Sequence, residues 1–279
     1  MITFPNCKIN LGLYITEKRD DGYHNIESVF VPVPLCDVLE ILTINDLLDK
    51  NILVIDNLYF KITGIELEGS IHENICVKAF QLLRSVYNLP PTAIYLRKNI
   101  PSGAGLGGGS ADGTFVLRLL NELYQLKITP AQLKEYASKL GSDCPFFIEN
   151  KTAFVTGRGE IIQTIPFELK GLHIIIIKPD LHISTKEAYS NITPAMPIYS
   201  LQKSLSMPIE EWKNTVTNDF EKALQKLYPQ LDKIKKDLYN AGAIYASMSG
   251  SGSSIYGLSK TMLTIPDSLK SHFCWQGIL

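Results

Sequence analysis

No apolar run in this 279-residue chain approaches the ~18 residues that suggest a membrane span; the densest is Ile174 to Ile177. The opening residues, MITFPNCKINLGLYI, set Pro5, Asn6 and Lys8 among apolar positions and lack the basic segment and small-residue cleavage site of a secretory signal, so the start is expected to belong to the fold. Five cysteines (Cys7, Cys36, Cys76, Cys144, Cys274) lie scattered and odd in number, with no CxxC and no Cys/His cluster, which speaks against a disulfide framework and a zinc site. They read as small buried hydrophobes in a soluble protein of the reducing cytoplasm. Neither charge is in surplus: 27 Lys and Arg stand against 28 Asp and Glu, a formal net charge of −1. No basic field therefore draws nucleic acid or an anionic membrane, and a polyanionic ligand needs a local device.

Repeats, low-complexity tracts and Gly/Ser linkers are also missing, so domain organisation has to be read from changes of pattern. A chain of this length with 45% hydrophobic residues can fill two ordinary cores. Short β-type runs come first: Lys8–Thr16, Glu27–Val33, Val38–Ile44, Leu53–Ile55 and Leu58–Ile62. Ile75, Ala79, Leu82, Leu83 and Val86 then recur at helical spacing after Glu73 and Asn74, and Thr92–Leu96 resumes a strand. A glycine-rich segment follows, then a helix with Phe115, Val116, Leu119, Leu120 and Leu123 on one face. A third helix starts at Thr129-Pro130 and ends at Gly141. Strand fragments and turns occupy the stretch from Lys151 to Gly171. Beyond it the apolar strand Leu172–Ile177, helices near Ser184–Tyr189, Ile209–Leu227 and Leu231–Ala241, and strands Ile244–Met248 and Ser253–Leu258 suggest a second core. The expectation is an α+β chain of two domains, 1–160 and 161–279.

Between Pro101 and Asp112 (Pro-Ser-Gly-Ala-Gly-Leu-Gly-Gly-Gly-Ser-Ala-Asp) five glycines link a strand to a helix. Such a loop can turn tightly and aim backbone N–H groups at an anion beside a helix N-terminus, which makes phosphate its natural guest. The ordinary alternative, a flexible loop without ligand, carries a large entropic cost for no folding benefit. Gly103, Gly105 and Gly108 satisfy GxGxxG, but the chain continues as helix where a dinucleotide fold needs a second strand ending in an acidic residue. A Walker A loop is excluded, since Gly108 is followed by Gly109-Ser110 in place of Lys-Ser/Thr.

This segment resembles the PxxxGLGGGSAD signature of the GHMP kinases. Cys7-Lys8-Ile9-Asn10-Leu11 with Asp21-Gly22-Tyr23-His24 is similar to the AKINLxL…DGYH of one branch, which phosphorylates 4-diphosphocytidyl-2-C-methyl-D-erythritol in the isoprenoid precursor route that bypasses mevalonate. Gly141-Ser-Asp143-Cys-Pro-Phe-Phe147 resembles that branch's GADVPFF, and Met248-Ser-Gly250-Ser-Gly252-Ser the third GHMP motif. The departures are Ser142 for Ala, Cys144 for Val and Gly113 for Ala; the last should weaken its helix by roughly 0.5–1 kcal/mol. The resemblance implies a two-domain fold, with a ribosomal-protein-S5-like N-terminal domain, a ferredoxin-like C-terminal domain and a cleft between them. It also implies ATP and Mg²⁺ as cofactors, transfer to the 2-hydroxyl of the cytidylyl substrate, and no obligatory protein partner. A GHMP kinase for another small alcohol, such as mevalonate or homoserine, is the alternative, and a nucleotide-binding module without catalysis is a third.

Carried onto this sequence, the family's roles make Asp143 the base that accepts the hydroxyl proton and Lys8 its charged partner. Taken alone, Asp143 can cap a turn and Lys8 can lie on a solvated strand face, although a lysine in an apolar strand is expensive unless paired. The ATP cradle comprises Pro101, Ser102, Gly103, Ala104, Gly105, Leu106, Gly107, Gly108, Gly109, Ser110 and Ala111, with Lys98 and Asn74 on the nucleotide side. Tyr23, His24 and Tyr189 fall at the cytosine end, though each also reads as a packing residue. Asn10 is a substrate or phosphate contact or a local backbone partner. Ser249 and Gly250, in the second Ser/Gly turn, bring backbone N–H groups to the substrate or simply connect two strands. No Asp/Glu cluster stands out as a magnesium cage, so phosphates and water are expected to hold the metal, and its protein ligands stay open.

Overall fold

The computed structural model describes residues 1–44, 52–67 and 69–279. A two-residue strand, β1 (Ile2–Thr3), precedes two strands of 13 residues each, β2 (Asn6–Lys18) and β3 (His24–Cys36). Burial in β2 is continuous from Cys7 to Ile15, so both of its faces are covered. Lys8 and Asn10 are therefore held inside, each 2% exposed. Next come β4 (Val38–Thr43), β5 (Leu53–Ile55), β6 (Leu58–Gly64), helix α1 (Ile75–Arg84) and β7 (Thr92–Lys98). Parallel pairing of β6 with β7 needs a crossover, and α1 provides it.

Helix α2 (Gly108–Leu123) follows the glycine segment. The next helix, α3 (Pro130–Leu140), opens with a reciprocal capping box between Thr129 and Gln132 and a proline in its first turn. A single turn, α4 (Phe146–Glu149), precedes the hairpin β8 (Ala153–Thr156) and β9 (Ile161–Thr164). The remainder runs β10 (His173–Lys178), α5 (Thr185–Ser190), α6 (Leu201–Leu205), α7 (Trp212–Thr215), α8 (Asp219–Leu224), α9 (Pro229–Asn240), β11 (Tyr245–Met248), β12 (Ile255–Ser259) and β13 (Phe273–Ile278).

Among the described residues the strands form three sheets, ordered β1-β4-β7-β6-β5, β2-β3-β8-β9 and β11-β12-β10-β13. The chain is α+β and divides into two compact units interleaved along the sequence. The first holds residues 1–7, 35–102 and 107–150, and the second 8–34, 103–106 and 151–279. In the first, α1 and α2 lie against each other; in the second, Ile175 and Ile177 of β10, Phe220 of α8, Ile234 and Leu238 of α9 and Ile255 of β12 share one core.

Two expectations are corrected. The single helix over Ile209–Leu227 is broken between α7 and α8. Val216 leaves helical geometry, the Thr217 carbonyl accepts the Leu13 N–H (2.9 Å), and the Asn218 side chain accepts from Phe220 N to start a new helix. Apolar spacing carried no trace of this cap, because the side chains on both sides keep one face. Strand β13, which pairs antiparallel with β10, was not anticipated; its positions are almost uniformly half-buried, so no alternation marks it.

Gly113, whose lack of a side chain weakens α2 locally, is explained by packing: a Cβ there would lie 2.7 Å from Ile75 Cγ1 of α1. Gly113→Ala is expected to lower stability by about 1–3 kcal/mol from overpacking, less the ~0.5–1 kcal/mol gained in helix propensity. Trimming Ile75 to Val or Ala in the same chain should recover part of the loss in a denaturant-melt cycle. A single variant more stable than wild type would show that the glycine serves no close approach.

Candidate active site

The glycine segment is divided between the two units. In the second unit, Gly103 and Gly105 have φ of +59° and +75°, and three successive carbonyls of this half of the segment find partners. The Ala104 carbonyl accepts Ser254 N (3.2 Å), the Gly105 carbonyl accepts the Ser249 hydroxyl (2.8 Å), and the Leu106 carbonyl accepts Lys8 N (2.9 Å). A Cβ on Gly105 would stand 2.0 Å from the Ser249 carbonyl oxygen, so only glycine lets the two turns meet. In the first unit, Gly107 (φ +69°) starts α2 without a side-chain cap, and Gly108 admits Ile100, whose Cγ2 would be 2.7 Å from an added Cβ. Gly109 is exposed and Ser110 half-buried at the open end of the helix, while Ala111 is buried. N–H groups with no side-chain acceptor at such an end suit an anion.

Beside that helix end the first unit holds a cavity of about 570 Å³, lined among others by Asn74, Ile75, Lys98, Ser102, Gly109 and Asp112. Asn74 caps α1, accepting Cys76 N (2.9 Å) through its side-chain oxygen. Lys98 ends β7 at 3% exposure and donates to two carboxylates, Asp37 and Asp112; the latter contact is 2.6 Å. Asp37 also accepts Asn99 N (2.5 Å) and Ile100 N (2.9 Å), whereas Oδ1 of Asp112 has no partner. Burial pushes the Asp112 carboxyl well above the usual range against the pull of Lys98. Burial also opposes the charge of Lys98, but the carboxyls it meets outweigh it and hold the ammonium above its ordinary value.

The turn carrying Asp143 is fastened to the same helix. Thr114 of α2 donates its hydroxyl to the Cys144 carbonyl (2.9 Å), and the Asp143 carbonyl accepts Phe146 N as α4 begins. Asp143 is half-buried, with Cys144, Pro145, Phe146 and Phe147 buried behind it.

In the second unit, Lys8 Nζ donates to Asn10 Oδ1 (2.6 Å) and lies 4.4 Å from the centre of the Phe30 ring. Asn10 in turn donates to Ser28 Oγ (2.9 Å), its carbonyl accepts the Tyr256 hydroxyl (2.8 Å), and its N–H reaches Ser249 Oγ (3.3 Å). Gly250 (φ +57°) is held through its carbonyl, which together with that of Met248 accepts the Asn218 side chain (2.9 Å each). Lys8, Asn10, Ser249 and the Gly103–Leu106 half of the loop are thus brought together.

Also in the second unit, the His24 ring stacks on Tyr189 (centroids 4.9 Å apart, 22° between planes), and Tyr189 meets Phe220 edge-on. Tyr23, 57% exposed, carries the Arg158 guanidinium 4.8 Å above its ring. Burial lowers the His24 pKa, with the charge of Lys18 adding to the effect. The imidazole is therefore a neutral donor and acceptor at a stacked surface.

Residues 74–151 match the GHMP kinases N terminal domain and residues 202–263 the GHMP kinases C terminal domain. A 4-diphosphocytidyl-2-C-methyl-D-erythritol kinase of Bacteroides fragilis is 50% identical over 99% of this chain and 98% of its own length. The chain belongs to the GHMP kinase family. A solved 4-(cytidine 5'-diphospho)-2C-methyl-D-erythritol kinase shares 28% identity and the fold, with a TM-score of 0.82 over 99% of this chain and 98% of that one. The Methanococcus jannaschii mevalonate kinase, at 13% identity and TM-score 0.68 over 100% and 98%, shares the fold alone.

Sequence reasoning about this GHMP kinase missed Asp37, Asp112 and Asn218 as site-building residues. A charged Asp112 among Ala111, Gly113 and Val116, on the face that packs inward, was the available signal for a buried ion pair; Asp37, 61 positions from Lys98, gave none. A depressed His24 pKa has a sign that can be checked. The folded state then binds fewer protons than the unfolded one, so stability falls as pH drops below about 6.5, the unfolded value, until the folded pKa is passed. Tyr189→Ala should raise the His24 pKa toward its ordinary value in an NMR titration, because the covering ring is lost; an unchanged midpoint would remove Tyr189 as the source of burial.

Proposed function

We propose that this GHMP kinase transfers the γ-phosphoryl group of ATP to the 2-hydroxyl of 4-diphosphocytidyl-2-C-methyl-D-erythritol, in the non-mevalonate route to isoprenoid precursors. One observation carries the substrate assignment: the stacked His24 and Tyr189 beside Tyr23 form an aromatic, hydrogen-bonding surface suited to a flat pyrimidine. Its relatives' names, at 50% identity over nearly the whole chain, point the same way.

In this reading Asp143 accepts the hydroxyl proton, and its anchoring through Thr114 and Cys144 keeps it beside the start of α2. Lys8, held by Asn10, supplies the positive charge that favours the developing alkoxide. Gly103 to Ser110, flanked by Pro101, Ser102 and Ala111, cradles the triphosphate, with Asn74 and Lys98 on the nucleotide side of the cavity. Asn10, Ser249 and Gly250 contact the substrate from their shared hydrogen-bond network.

Mg²⁺ enters with the nucleotide. Among the described residues there is no group of three or more His, Cys, Asp or Glu that could hold a metal, and in this reading phosphate and water carry the ion. When bound it supplies charge neutralisation at the triphosphate. A cytoplasmic setting is the reading drawn from five cysteines, none of them in a disulfide; separately, among the described residues no helix is long and apolar enough to cross a membrane. The two family segments fall on opposite sides of residue 160, which supports a sequence boundary there between an ATP-binding N-terminal domain and a C-terminal domain.

Coupled measurement of ADP release tests the activity, comparing 4-diphosphocytidyl-2-C-methyl-D-erythritol with mevalonate, homoserine and galactose under ATP and Mg²⁺. Release with the cytidylyl compound alone is expected; release with one of the others would overturn the roles of Tyr23, His24 and Tyr189. Asp143→Asn should lower kcat by on the order of 10²–10⁴-fold while ATP still binds, and retained turnover would remove Asp143 from the mechanism.

A further inference from the structure

Three side chains in the first unit, Asp37, Lys98 and Asp112, are 0%, 3% and 2% exposed and meet at one ammonium group. Two ionised carboxylates against one cation would leave a net negative charge buried, which is among the least tolerated arrangements in a protein interior. The hydrogen bonds around them are unequal. Asp37 receives three N–H groups, from Lys98, Asn99 and Ile100, as an ionised carboxylate requires. Asp112 accepts the Lys98 ammonium on Oδ2 and its buried Oδ1 meets no donor, while the Asp37 carboxyl faces it and favours its protonated form by charge and hydrogen bonding.

We propose that Asp112 is a neutral carboxylic acid and the positioning residue that, through Lys98, sets the glycine loop and the first turn of α2 for the ATP triphosphate. Lys98, Asn99 and Ile100 immediately precede the loop and Asp112 follows it in α2, so the group ties together the two ends of the segment that five glycines would otherwise leave loose. Keeping Asp112 uncharged makes the group neutral overall, so it adds no net negative charge to a cavity whose lining also carries Glu66 and Glu73.

The groups facing Asp112 come from each element packed on it. Lys98 projects from β7, Asp37 from the turn after β3, and the Cys76 thiol from α1, itself pushed up by burial. Burial acts on Asp112 in the same direction as the hydrogen-bond count, and Lys98 is the cation opposing it. The inference rests on the reading of this loop as the ATP cradle for its functional half, but not for the protonation state itself.

The first test needs no ligand: carboxyl ¹³C NMR of aspartate-labelled wild type and Asp112→Asn across the neutral range. One aspartate resonance at the position of a protonated acid, absent from the variant, is expected; all resonances at ionised positions would overturn the proposal. The second follows ATP binding and the KM for ATP as pH is raised through the titration of that resonance. In wild type the KM should rise by about tenfold as a buried negative charge appears. In Asp112→Asn, which cannot ionise, this rise should be lost, while a Cys76→Ala control keeps it. A rise that persists in Asp112→Asn would show that Asp112 does not set the loop. Failure of wild type to bind ATP at any pH would sink the proposed function while leaving the NMR result intact.

Discussion

One ammonium group shared by two buried carboxyls is the constraint on which the first unit depends. Lys98 joins the end of β7, the turn after β3 and the second turn of α2, so the sheet, the loop and the helix behind it cannot shift independently. Removing one partner of such a buried pair costs about 3–5 kcal/mol, a large share of a domain's stability. The same helix carries Gly113, which lets α1 come close, and Thr114, which fastens the Asp143 turn. A candidate base, the open end of a helix and a cavity are thereby tied to one rigid element.

The second unit meets its own constraint with backbone rather than charge. Gly105 lies where any side chain would strike the Ser249 carbonyl, and the hydroxyl of Ser249, the carbonyl of Ala104 and the N–H of Lys8 then join loop, turn and strand β2. Lys8 is accommodated inside this network by an amide oxygen and an aromatic face. The stacked His24 and Tyr189 come from segments far apart in sequence, and Phe220 of α8 buttresses them from the core.

Elements with strong periodicity or explicit caps were legible in the sequence. Asn74, Thr129 and Pro130 mark helix starts, and the alternation or density of apolar residues marks β4, β7 and β10. The break at Thr217 and Asn218 was not, because it is made by hydrogen bonds to Leu13, Met248 and Gly250, which no local pattern encodes. The candidate site divides in the same way. Glycine spacing, Asp143 and Lys8 stand out through residue type and family motif. The charge group of Asp37 and Asp112, by contrast, exists only once strands 61 positions apart are paired by folding. Most of the residues proposed to carry the chemistry were visible, and most of what positions them was not.

The central claim is that phosphate reaches the hydroxyl on the methyl-bearing carbon of a cytidylyl polyol. Proton-coupled ³¹P NMR of the isolated product reads that position directly. A new phosphomonoester signal with no three-bond coupling to a carbon-bound proton, alongside an intact diphosphate, is the result this account gives, since the 2-carbon carries no hydrogen. A monoester signal split by neighbouring protons would place the phosphate on another hydroxyl and contradict the assigned geometry of the acceptor.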